Sequence, residues 1–302
     1  MHIGMVGLGR MGLNMARRLI RGGHEVTGYN INVDVTKEAE KEGLRGAYSL
    51  KELVSGLPSP RVVWLMVPAG GPVDASIEGL KGLLGAGDIV IDGGNSFYKD
   101  AFGRADSLGA QGVSFLDIGV SGGIWGLKEG YCMMAGGDKG VFGQVEPILR
   151  TLAPEDGYMH CGPTGAGHFV KMVHNGIEYG MMEAYGEGFE LMAASRYGEG
   201  LDFKAVSALW NRGSVVRSWL LELLTAAFEK DPGLSSIRGF VEDSGEGRWT
   251  VQEAVDSGVA LPAITSALFR RFRSRQDDSF AEKVLAALRA EFGGHAVKKE
   301  KK

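Results

Sequence analysis

Apolar residues follow one period in the first half of the chain and another in the second. Short runs rich in Val, Ile, Leu and Met fall at 1–6, 25–29, 61–67 (RVVWLMV), 88–92 (DIVID), 113–118 (VSFLDI) and 131–135 (YCMMA), and each reads as a buried strand. Between them lie helical or turn-rich stretches, the clearest at 11–21. After Cys161-Gly162-Pro163 the strand-like runs stop and longer helical patterns take over at 168–195, 203–211, 216–228 and 279–291. Strands alternating with helices imply a doubly wound parallel α/β sheet, here over 1–162, and the second pattern implies an all-α domain over 163–302.

The turn after the first strand, Gly7-Leu8-Gly9-Arg10-Met11-Gly12, fits G-x-G-x-x-G between a strand and a helix. In a Rossmann-type sheet the first glycine makes the tight turn, the second admits a pyrophosphate and the third lets helix approach strand. The phosphates would then rest at the positive end of the helix dipole. At the end of the second strand stands Asn30, followed by Ile31 and Asn32, with neither the acidic residue of NAD sites nor the arginine of NADP sites. Without a cation beside Asn30 to offset a phosphate dianion, NAD is favoured over NADP. Ligands of such sheets sit at the carboxyl ends of strands. That adds Val67, Pro68, Ala69 and Asn95 to the cofactor candidates, and Asn95 also reaches toward substrate. Ser121-Gly122-Gly123, after a further strand, presents backbone amides that suit a carboxylate.

A third pattern lies in GAGHFVKMVHNGIEYG, residues 165–180. Lys171, His174, Asn175 and Glu178 stand at i, i+3, i+4 and i+7, which returns them to one helix face. Lys171 and Glu178 are about 10 Å apart along the axis, a gap that suits a base and an acid serving different carbons of one extended substrate. Composition narrows the field further. A formal charge of −4 gives no footprint for nucleic acid, and no uncharged apolar run is long enough to span a membrane, so a cytoplasmic protein is expected. Cys132 and Cys161 read as buried thiols of a reducing compartment, no metal site is suggested, and the final VKKEKK reads as a solvated tail.

Taken together, GLGRMGLNMA, the GGN ending at Asn95, VSGG at 120–123 and above all GAGHFVKMVHNGIEYG resemble the signature blocks of the decarboxylating 6-phosphogluconate dehydrogenase family in its short form, in order and over nearly the whole length. GEGRWT at 245–250 is similar to that family's G-x-G-K-W-T element with Arg248 in place of lysine, SALFRRF at 266–272 places its phosphate-binding arginine on Arg271, and the segment from Arg289 to His295 resembles its R-x-x-F-G-x-H tail. The resemblance implies oxidation of 6-phospho-D-gluconate at carbon 3 and loss of the carbon-1 carboxylate as CO2, giving D-ribulose 5-phosphate with reduction of NAD(P). It implies Lys171 as base and then acid, Glu178 as the acid that protonates the enediol, and His174 and Asn175 beside them. Substrate would be held by Asn95, Ser121, Gly122, Gly123, His174, Asn175, Tyr179, Arg248, Thr250, Arg271, Arg289 and His295. A homodimer or homotetramer is implied as well, its C-terminal tail reaching a neighbouring active site. Two other readings stay open on the residues alone: another β-hydroxyacid dehydrogenase acting on a small 3-hydroxy acid, or a non-catalytic dinucleotide sensor.

Overall fold

The computed structural model describes residues 1–294 and 296–298, so His295 and residues 299–302 of the lysine-rich tail lie outside the described residues. The chain forms two compact units, Met1–Asn175 and Gly176–Lys302. The first opens with β1 (His2–Val6), α1 (Arg10–Arg21), β2 (Glu25–Tyr29), α2 (Val33–Glu40), β3 (Arg45–Ala47), α3 (Leu50–Ser55), β4 (Val62–Leu65) and α4 (Gly71–Leu80). It continues with β5 (Ile89–Asp92), α5 (Asp100–Gly109), β6 (Ser114–Ser121), α6 (Gly126–Glu129), β7 (Cys132–Gly137), α7 (Lys139–Leu152) and β8 (Tyr158–Gly162). α8 (Ala166–Ala194) begins in this unit and runs on into the second.

Among the described residues, eight strands form one sheet in the order β3-β2-β1-β4-β5-β6-β7-β8. Successive residues of the central strands feed opposite faces, as the pleat requires. Ile3, Met5, Trp64, Ile91 and Ile118 pack with Met15 and Leu19 of α1 and Ile148 of α7. Val6, Val63, Leu65, Val90 and Phe115 pack with Leu53 of α3, Ile77 and Leu80 of α4 and Leu108 of α5. Burial on both faces explains why these strands read as unbroken apolar runs.

The sheet departs from the sequence reading in three places. β6 and β7 pair antiparallel, because the short connection between them has no room for the crossover helix that a parallel pair needs. That pairing also carries β6 on to Ser121, past the expected end at residue 118. β3 and β8 were not expected: each is short or polar and pairs along one side, β3 with β2 and β8 with β7. The thiols are a further correction. Cys132, the first residue of β7, is exposed and Cys161 is only half-buried.

The second unit holds the rest of α8 followed by α9 (Phe203–Trp210), α10 (Trp219–Lys230), α11 (Glu246–Ser257), α12 (Pro262–Ser274) and α13 (Phe280–Gly293), with no strand among the described residues. α10 starts three residues later than the apolar pattern implies, because the Ser218 hydroxyl caps it by accepting from Leu221 N. Its cores are small: Phe189, Leu221 and Phe228 in one, Tyr179, Ala267 and Leu268 in another. No helix is long and apolar enough to cross a membrane among the described residues.

Asp243 ties this unit's loop to α11 and α12. Its buried carboxylate takes a fork from Arg248, Nε at 2.6 Å and Nη2 at 3.2 Å, and a further bond from Arg275. The Arg248 hydrogen bond, with help from Arg275, outweighs burial and holds the carboxyl at about 2, below its ordinary 3.8. A depressed folded-state value means the contribution is complete above about 3.8 and fades as the pH falls toward about 2. Wild type should therefore melt above Asp243→Asn at pH 7, and the gap in Tm should narrow when both are scanned near pH 3.

Candidate active site

The glycine turn at the end of β1 is set by close approaches. Gly7 has φ +94°, and a methyl there would stand 2.3 Å from Met66 O. A methyl on Gly12 would stand 2.0 Å from Gly7 O, so α1 lies directly against the turn. Gly9 is different: nothing lies within 4 Å of the position its Cβ would take, and no side chain caps α1. An open face over uncapped helix N–H groups fits a dinucleotide pyrophosphate. Leu8 is buried in the core beneath, while Arg10 is exposed and Met11 half-buried.

Asn30 holds the turn from β2. Its Oδ1 accepts from Leu8 N at 3.0 Å and its Nδ2 donates to Asn32 O at 3.3 Å. Asn32 in turn caps α2 by accepting from Asp34 N, and Asp34 pairs with Lys37 at 3.4 Å. The carboxylate in the first turn of α2 and the partnered lysine make this corner better suited to a ribose hydroxyl than to a phosphate dianion. After β4, Val67 and Ala69 are half-buried and Pro68 is exposed.

Two carboxylates face each other across neighbouring strands, Asp92 at the carboxyl end of β5 and Asp117 midway along β6, both fully buried. Asp92 Oδ1 accepts from Gly94 N at 3.0 Å, which shapes the turn that leaves Asn95 exposed. Its Oδ2 takes Arg104 Nη1 at 3.0 Å and lies 3.3 Å from His168 Nε2. Burial alone would raise the Asp92 carboxyl; His168, Ser96 and Arg104 more than offset it and hold it below the ordinary value. Asp117 accepts from Gly165 N at 2.7 Å and His168 N at 2.9 Å, so a strand carboxylate caps the start of α8. For Asp117 burial prevails and the carboxyl is raised, with His168 and the backbone amides only partly opposing it.

Glycines bring α8 against β6 and β7. A methyl on Gly167 would stand 2.3 Å from Asp117 O and 2.4 Å from Met134 O; one on Gly136 would stand 2.6 Å from Gly167 N. A turn later, Lys171 Cβ lies 2.3 Å from where a methyl on Gly119 would go. Lys171 is thereby buried to 7% exposure, along with Asn175. Its Nζ donates to Asn175 Oδ1 and lies 3.4 Å from His174 Nδ1, while His174 Nε2 faces Ser121 Oγ at 3.4 Å. An amine, an imidazole, an amide and a hydroxyl thus converge beside the turn of Gly122 and Gly123, where nothing lies within 4 Å of the Cβ position of Gly123. Such a group can hold a polar substrate and move a proton to or from it. Burial raises the Cys132 thiol, and the charge of Lys171 pulls the other way.

Glu178 and Tyr179 follow on the same continuous helix, in the second unit. Tyr179 is buried, with the Arg271 guanidinium stacked 3.5 Å over its ring and its hydroxyl 3.4 Å from Ser244 N. Arg271 also donates to Glu242 O at 2.9 Å. Arg248 is engaged by Asp243 and lies over the Phe272 ring at 4.6 Å. Thr250 is buried, its hydroxyl donating to Glu246 O at 2.8 Å, and Arg289 is exposed on α13. His295 lies outside the described residues. Sequence reasoning missed Asp92, Asp117 and Arg104, and gave His168 no role. The available signal was an acidic residue inside each of two apolar strand runs, since a lone buried charge needs a partner.

Two family models match: the NAD binding domain of 6-phosphogluconate dehydrogenase over residues 2–162, and the 6-phosphogluconate dehydrogenase C-terminal domain over 167–302, which takes in the first turns of α8. YqeC of Bacillus subtilis, which bears the 6-phosphogluconate dehydrogenase name, is 47% identical over 300 residues, spanning 99% of this chain and 100% of that one. An NAD(+)-dependent, decarboxylating 6-phosphogluconate dehydrogenase of Haloferax volcanii is 42% identical over 98% of both chains. Among solved structures, the 6-phosphogluconate dehydrogenase of Plasmodium falciparum, described apo, with NADP+ and with 6-phosphogluconate, superposes with a TM-score of 0.83 at 30% identity. All of this chain is covered by that match, and 67% of the longer one.

Close packing at Gly119 gives a direct check on the geometry. Gly119→Ala should cost about 1–3 kcal/mol of stability, as overpacking does, and should lower turnover further by displacing Lys171. Urea denaturation alongside steady-state rates measures both, and wild-type values for the two would contradict the contact.

Proposed function

Because the chain belongs to the 6-phosphogluconate dehydrogenase family, we propose that it oxidises and decarboxylates 6-phospho-D-gluconate to D-ribulose 5-phosphate and CO2, reducing NAD in preference to NADP. The observation that carries this reading is Lys171, buried and clustered with Asn175, His174 and Ser121 on a helix that also bears Glu178. Residues 1–162 form the dinucleotide-binding part and 163–302 the substrate-binding and assembly part.

When bound, the oxidised nicotinamide supplies the acceptor for the hydride that leaves carbon 3. Lys171 in its neutral form takes the proton of the 3-hydroxyl. The resulting 3-keto acid loses its carboxylate because the new carbonyl receives the electron pair as an enediol, and the now protonated Lys171 donates to that oxygen. Asn175 and His174 keep the amine aimed, and the amides of Ser121, Gly122 and Gly123 hold the carboxylate until it leaves. Glu178, protonated, delivers a proton to the enediol carbon that becomes carbon 1 of the product. Each positioned transfer contributes about 10²–10⁴-fold. Asn95 binds on the cofactor side of the substrate. Tyr179, Arg248, Thr250, Arg271, Arg289 and His295 are assigned to the sugar phosphate and hydroxyls; Arg271 is the strongest of these, since its planar fork suits phosphate.

NAD is favoured by the Asn30–Asn32 corner, with its α2 carboxylate at Asp34, and by the dinucleotide named for the Haloferax relative. The protein acts as a homodimer or homotetramer, with its tail completing a neighbouring site. Support comes from α13, where Phe280, Leu285 and Leu288 are 80%, 60% and 59% exposed, and from an apolar cavity of about 510 Å³ in the second unit lined by Tyr185, Phe189, Leu224 and Phe228.

Lys171→Met should cut turnover by about a hundredfold or more while dinucleotide binding, followed by fluorescence, is kept; near-normal turnover would remove Lys171 from its role. Steady-state rates on 6-phosphogluconate with each dinucleotide, CO2 release monitored, should give the higher kcat/KM with NAD. A clear preference for NADP would reverse the cofactor assignment, and no turnover with either would end the proposal.

A further inference from the structure

The buried groups His168, Asp92 and Asp117 lie outside the proton-transfer scheme, yet they join its two halves. Asp92 holds the turn of Asn95 through Gly94 N, and Asp117 holds the first turn of the Lys171 helix through Gly165 N and His168 N. His168, 1% exposed, is the residue that meets both: its backbone donates to Asp117 and its ring stands 3.3 Å from Asp92. Arg104 of α5, itself 5% exposed, closes the chain on the far side of Asp92 at 3.0 Å.

Each member would be costly in isolation. Removing one partner of a buried charge pair leaves the other uncompensated in a low-dielectric interior, so this arrangement persists only if the others stay in register. The link is also stiff. Backbone contact at Gly167 and Gly136 leaves α8 no room to slide across β6 and β7, and Lys171 is one turn beyond His168 on the same helix.

We infer that His168, with Asp92 and Asp117, is a positioning element that sets the distance between the Asn95 turn and Lys171, and so between the hydride acceptor's side of the substrate and its base. This rests on the roles proposed above for Lys171 and Asn95. His168 touches neither substrate nor cofactor; it acts through the two turns it joins.

The test compares His168→Leu, which removes the ring's polar contact, with His168→Gln, which restores a donor toward Asp92, and with Asp117→Asn, which keeps shape but gives up one acceptor for the α8 amides. Each variant is assayed as the purified full chain for kcat, for KM of the dinucleotide, and for the primary deuterium isotope effect with substrate deuterated at carbon 3. A base held off its line by about an ångström costs on the order of a hundredfold. His168→Leu and Asp117→Asn should therefore lose about ten- to a hundredfold in kcat, with an isotope effect larger than wild type and little change in dinucleotide KM. His168→Gln should recover most of the rate. If His168→Leu does not fold, Asp117→Asn and His168→Gln carry the comparison. Wild-type kcat and isotope effect in Asp117→Asn, or a glutamine variant no better than a folded leucine variant, would overturn the inference. Lys171→Met separates the two levels: if it stays active the catalytic reading fails, whereas an inactive Lys171→Met beside unaffected His168 and Asp117 variants sinks the positioning role alone.

Discussion

Contact of backbone on backbone, where the start of α8 meets β6 and β7, is the constraint from which the rest of the site follows. Gly136 and Gly167 have no side chains to separate the elements, and Asp117 satisfies the helix amides that would otherwise be buried without partners. Lys171 is then pressed against Gly119, where burial and the neighbouring Asn175 define its surroundings. A helix seated this way cannot shift by a fraction of a turn without opening unpaired polar groups. Rigid placement of this kind is what a proton carrier needs if it is to act first as base and then as acid.

The antiparallel β6–β7 pair makes that seat possible. It lengthens β6 to Ser121 and puts the turn of Gly122 and Gly123 beside His174. Lys171, His174, Asn175 and Ser121 are thus brought together from a strand end and the first turns of one helix, within a single compact unit. Within the second unit, Arg248 is engaged by Asp243 and Arg271 by the Tyr179 ring.

Much of this was legible in the sequence because the signals are local. The apolar runs of β1, β4 and β5 announce strands buried on both faces, and the spacing of Lys171, His174 and Asn175 announces a shared helix face that the structure realises as contacts. The edge strand β3 was not legible, since a three-residue strand carries no period, nor was the direction of β7, which depends on the length of a connection. His168 was passed over for a physical reason too. Its partners come from β5 and β6, the latter 51 residues away, and sequence spacing within α8 says nothing about them. An aspartate breaking an apolar strand was the trace such a network leaves, at Asp92 in DIVID and Asp117 in FLDI.

The reading proposed for Lys171 and Glu178 is that two proton carriers on one helix act in turn on one substrate. Turnover of 6-phosphogluconate labelled with carbon-13 at carbon 1, run in deuterium oxide and followed by NMR, tests that most directly. The account predicts labelled CO2 in step with dinucleotide reduction, and ribulose 5-phosphate bearing one deuteron at carbon 1 in a single configuration, because a held acid protonates one face of the enediol. Product with the label retained, or with deuterium spread over both configurations, would contradict it.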